Sequence, residues 1–102
     1  MKRTIEQLAQ KQGRVYVYLA DDAAGAAFLR QAQDEGFTFT DGERPTARHA
    51  SEIMAVNRDR TLNYVGTNGR IAFGSGIKTA GGERLLRVDY AQYAAGEAAF
   101  LR

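Results

Sequence analysis

The sequence predicts an α+β fold: one small domain in which a single main helix packs on a sheet of about five or six strands. Three observations carry this. RVYVYL (residues 14–19) alternates side to side with β-branched and aromatic residues, as a strand does. ADDAAGAAFLRQAQDEG (20–36) carries helical spacing between an acidic start and a glycine stop. From residue 37 onward come short apolar runs broken by turn residues.

The elements follow in order. TIEQLAQKQ (4–12) predicts a short helix with Thr4 as N-cap and Gln7 completing a capping box. Strand 14–19 is apolar or amphipathic on both faces, so a central position is expected. In the main helix Asp21 or Asp22 caps the start and complements the dipole. Ala24, Ala27, Phe28, Gln31, Ala32 and Glu35 share one face, with Phe28 as anchor. Gly25 has no evident role in a helix interior. FTFT (37–40) then completes a β-α-β unit, with a right-handed crossover if its strands are parallel neighbours.

Ile53 to Gly66 reads as a β-hairpin with Asn57 to Arg60 at its turn. RIAFGSG (70–76) and ERLLRVDY (83–90) read as further strands, the second with Leu86, Val88 and Tyr90 on one face and Asp89 on the other, solvated. Residues 91–101 are expected as a last short helix, which Gly96 weakens.

Length and composition bound the function. The chain's 102 residues fit one domain, 1–102, and 44% of them are hydrophobic and 25% charged, the balance of a globular protein. The sequence has no cysteine, which removes thiolate chemistry and cysteine-based metal sites. No apolar stretch follows the N-terminal basic pair, and no window reaches the roughly 20 apolar residues of a membrane span. A cytoplasmic protein with no membrane association is expected. Eleven of the 14 basic residues are arginine, in a chain of net charge +2.

Two groups of residues are candidates for function. Arg44, Arg48, Arg58, Arg60 and Arg70 face only Glu52 and Asp59 in their stretch, a local charge of +3 that exceeds that of the whole chain. Arginine forks suit phosphates and carboxylates. Tyr16, Tyr18 or Tyr64 on an exposed sheet face could stack bases beside them. The second group is the loop from Asp41 to Ser51, with the only proline, Pro45, and the only histidine, His49. Asp41 and His49 are its candidate residues, and His49 could serve as a general base if a nucleophile lay within reach. A surface connection explains the same stretch. No metal is expected at a lone histidine without HxH or HxxxH spacing. GSGIKTAGG (74–82) lacks the glycine before lysine and the following helix that a phosphate loop needs, so no nucleotide cofactor is expected there.

At VYVYLADDAAGAAFLRQAQDEGFTFTDGERPT and IMAVNRDRTLNYVG the chain resembles small proteins of unassigned function carried by phages and conjugative elements of gut anaerobes. The resemblance spans residues 14–66. It implies an accessory protein that binds something, such as a host defence component, and it supplies no active site.

The leading expectation is therefore a small non-enzymatic binding protein of a mobile element, acting through a protein partner. One alternative is a nucleic-acid-binding module using the arginines of 44–70. Another is a small enzyme or nucleotide-binding domain using the 41–49 loop. A tyrosine face or an open strand edge would allow a homo-oligomer.

Overall fold

Val15 and Val17 point to one side of their strand and Tyr16 to the other, and all three are buried, so this strand lies inside the sheet. The computed structural model describes residues 3–11, 13–66, 74, 79–80 and 83–101. The sheet has six strands: β1 (Arg14–Tyr18), β2 (Thr38–Phe39), β3 (Ile53–Val56), β4 (Thr61–Tyr64), β5 (Thr79–Ala80) and β6 (Glu83–Asp89), in the order β2-β4-β3-β1-β6-β5. β1 pairs parallel with β6 and antiparallel with β3, with Val17 opposite both Met54 and Val88. β3 and β4 form the expected hairpin, and β2 joins β4 in parallel.

The strand–helix–strand unit is present, but its two strands are not neighbours. β3 and β4 lie between β1 and β2, which run parallel within the one sheet. All four β3 residues are buried, and β3 is flanked by β1 and β4.

Helices α1 (Ile5–Ala9), α2 (Asp22–Asp34) and α3 (Tyr90–Ala94) cover one face of this sheet. Their Ile5, Leu8, Phe28, Leu29 and Tyr93 join Val15, Val17, Met54 and Val88 in the main core. A smaller cluster of Tyr16, Ile53, Ala55, Val65 and Leu85 forms on the opposite face. α1 is shorter than its sequence pattern, but the Thr4–Gln7 capping box is formed in both directions. Asp21 caps α2, and Gly36 follows it with φ +85°, the left-handed turn that releases the chain toward β2. The buried stripe of α2 is Gly25, Phe28, Leu29 and Ala32. Ala27, expected on that stripe, is exposed.

The C-terminal segment departs further from expectation. Tyr90 opens α3 instead of ending a strand, and Asp89 is its N-cap, accepting a bond from the Gln92 N–H at 3.2 Å. α3 spans five residues, after which the chain turns back and the Asp89 N–H donates to the Phe100 carbonyl at 2.8 Å. The strand expected at 70–76 lies outside the described residues, apart from Gly74. So does the Gly81-Gly82 turn. Residues 79–80 are in strand. Among the described residues no helix is long and apolar enough to cross a membrane.

Candidate functional site

A cleft of about 800 Å³ opens at the C-terminal end of β1. One wall is the start of α2; the other is the chain from Thr46 to Glu52, which enters β3. Local sequence explains this placement. Asp21 stops the strand and starts the helix, its carboxylate accepting the Ala24 N–H at 2.8 Å. Pro45 opens a short 3-10 turn, Pro45–Ala47, and Arg44 before it is extended at φ −65°, ψ 138°. The chain then passes α2 so closely that a Cβ on Gly25 would lie 2.9 Å from the Ala50 Cβ. That is the reason for a glycine inside the helix. It also explains the depth of the cleft, whose walls are Gly25 and alanines 20, 26, 47 and 50 above Leu19 and Leu29.

The structure places His49 and Asp41 differently. His49 lines the cleft beside Ser51, as a functional loop would require. Its carbonyl accepts the Tyr64 hydroxyl at 2.7 Å, while its imidazole has no hydrogen-bond partner among the described residues. Asp41 is not part of the lining. Its carboxylate accepts the Glu43 N–H at 3.1 Å and pairs with Arg48. The Glu43 amide first, then the Arg48 guanidinium, hold its carboxyl below the usual carboxylate range. Asp41 therefore faces a cation and not His49, and no acid–base dyad is formed.

Arg48 closes this loop as a clasp. Its guanidinium binds both Asp41 and Glu43 and lies 4.6 Å from the centre of the Phe39 ring. The fold also blunts the sheet edge at β2, because the Phe39 N–H donates to the Glu43 carbonyl at 2.9 Å.

The four described arginines, Arg44, Arg48, Arg58 and Arg60, do not converge. β3 runs antiparallel to β1, so the turn at 57–60 sits at the start of β1, opposite the end where Arg48 and Arg44 lie. Arg58 donates to the Lys11 carbonyl at 3.2 Å and borders a second cleft of about 350 Å³ there. Arg60 pairs with Glu6 and reaches the Glu35 carbonyl at 3.4 Å. Arg44 is exposed, and Arg70 lies outside the described residues. The run of positive charge in the sequence is split between two ends of the sheet, and two of its members are bound by carboxylates. The tyrosines do not form a stacking platform either. Tyr16 is 9% exposed and Tyr18 is half-buried. Tyr64 is 43% exposed, but its ring stacks on Phe39 at 5.5 Å.

One polar network was not visible in the sequence. The Glu35 carboxylate accepts the N–H groups of Ile5 at 2.9 Å and Glu6 at 2.8 Å, and the Gln31 amide at 2.8 Å. Tyr90 donates to Gln31 at 2.6 Å, and Tyr93 donates to the Thr4 carbonyl at 2.6 Å. Burial raises the hydroxyl pKa of both tyrosines. This network joins three helices and satisfies helix-end donors, so its work is structural. Among the described residues no three histidine, aspartate or glutamate side chains gather as a metal site would require.

These features define a single α+β domain with a cleft between a helix start and a loop at one end of its sheet. No protein-family model matches the chain, nor does any curated protein or solved structure.

Proposed function

We propose that this chain is a small binding protein that acts on a protein partner through the cleft between α2 and residues 46–52. The observation that carries this reading is the cleft itself. It lies outside the C-terminal end of a central strand, where sheets flanked by helices commonly take ligands. Small side chains leave it open, and the Arg48 clasp fixes the loop that forms its outer wall. A binding role is favoured over catalysis because His49, the one imidazole, stands apart from the Asp41 carboxylate. It is favoured over nucleic-acid binding because the arginines of 44–60 are divided between two ends of the sheet. The accessory role in a mobile element rests on the resemblance at residues 14–66. Deleting the gene from such an element with no change in its transmission or in host defence would refute that part.

The binding reading is tested by capture from host lysate with the intact chain and with Ala26→Trp. Ala26 is an exposed helix residue on the cleft wall, so the indole fills the cleft without entering the core. The expected result is a protein recovered reproducibly by the unaltered chain and lost with the tryptophan variant. Equal recovery by both would remove the cleft from the reading. Recovery of nothing would remove the protein partner.

A further inference from the structure

Resting on that reading, we infer that the partner enters the cleft with a cationic side chain, a lysine or an arginine. Charge is the first argument. The cleft is bordered by Asp21, Asp22 and Glu52, against Arg30 and Arg48. Arg48 is bound to Asp41 and Glu43, which stand behind the lining. With Arg44, which follows Glu43 at the same end, the locality holds five carboxylates and three guanidiniums, on a chain whose net charge is +2. The start of α2 offsets only about half a charge of this excess. An anionic partner would meet repulsion here, and a cationic one attraction.

Shape is the second argument. A lysine or arginine is an apolar stem with a charged head, and it buries the stem while the head stays near water. The cleft offers those two environments in sequence. Its floor is Leu19 and Leu29, 4% and 3% exposed, and its walls are glycine and alanine. Its acidic residues Asp21, Asp22 and Glu52 are all exposed. Asp21 has one carboxylate oxygen on the Ala24 N–H, which fixes that side chain at the cleft mouth. A stem laid over the leucines brings its head toward the two aspartates.

The test uses three acetylated, amidated hexapeptides of alanine and serine that differ at one central residue: lysine, norleucine or glutamate. Each is titrated into the isotope-labelled full chain, following the amide resonances of Ala26, His49 and Ser51. The expected result is saturable shifts with the lysine peptide, weakened about two- to fivefold by Asp22→Asn, as for an exposed ion pair. Asp21 remains as the helix cap in that variant, so the fold is retained. Norleucine keeps the stem without the charge and should bind more weakly than lysine. Shifts of equal size with norleucine, or none with lysine, would overturn the inference. Shifts with glutamate alone would overturn it while leaving the cleft as a binding site. Partner capture that survives Ala26→Trp would instead remove the cleft reading beneath it.

Discussion

Gly25 and Ala50 are in mutual contact across the cleft wall, with room for a methyl group on only one of them. A Cβ on Gly25 would stand 2.9 Å from that of Ala50, closer than carbon atoms approach without displacement. Glycine inside a helix ordinarily costs about 1 kcal/mol relative to alanine. Gly25→Ala should nevertheless lower stability, because the gained helix propensity is smaller than the strain of pushing the 46–52 chain outward. Adding Ala50→Gly should restore most of the loss. Urea unfolding of the two single variants and the double variant measures this. A Gly25→Ala protein more stable than its parent would show that the loop yields freely.

The Glu35 carboxylate serves two helices, closing one and capping the N–H groups of Ile5 and Glu6 in the other. Glu35→Ala leaves those donors without their acceptor. The expected loss is about 2 kcal/mol, within the range for removing a charged cap. Glu35→Gln should fall between the two, since it keeps one acceptor. Thermal unfolding followed by circular dichroism measures the order.

Acid should loosen the clasp around the cleft. The Asp41 carboxyl is held below its unfolded-state range by the Glu43 amide and by Arg48. Its stabilising contribution is therefore fully present above the unfolded pKa and is lost as pH falls through the folded one. Asp41→Asn should be less stable than the parent at neutral pH, and the difference should vanish in strong acid. Urea midpoints of both proteins across that range measure it, and a difference independent of pH would contradict the assignment.

Arg60 holds a left-handed conformation, φ 65°, at the end of the β3–β4 turn, where glycine or asparagine is the easier choice. Its side chain offsets part of the strain through Glu6 and the Glu35 carbonyl. Arg60→Ala keeps the strain and loses the contacts, so a loss of about 0.5–1 kcal/mol is expected. Arg60→Gly removes both and should lie within about 1 kcal/mol of the parent. Arg60→Val should be the least stable of the three, because branching at Cβ disfavours this backbone further.

Local features of this chain were legible in its sequence, and distant pairings were not. Thr4 and Gly36 act within a turn of where they stand and were identifiable from their neighbours, while Asp21 was one of two adjacent candidates for its cap. The alternation around Val15 and Val17 identified a central strand because both faces were apolar. The place of the hairpin between β1 and β2 was not legible, since strand order depends on contacts far apart in the chain. Asp89 read as a solvated strand residue because nothing local marks the change from β6 to α3.

Within the loop from Asp41 to Ser51, the sequence could not say which side chains face the cleft. His49 does line the cleft, but Asp41 turns to Arg48. Five arginines close in sequence could not reveal that an antiparallel turn carries Arg58 and Arg60 to the far end of the sheet. Gly25, without a role in the linear pattern, had one only once Ala50 was beside it.

The parallel pairing of β1 with β6 sets an order of events during synthesis. Arg14 to Tyr18 are made some seventy residues ahead of their partners from Leu85 to Asp89. Until then the nascent strand has hairpin on one side only, and its other border is available to a neighbouring polypeptide. Translation speed past that point, and chaperones that hold such a border, should govern how much of this protein reaches its native form.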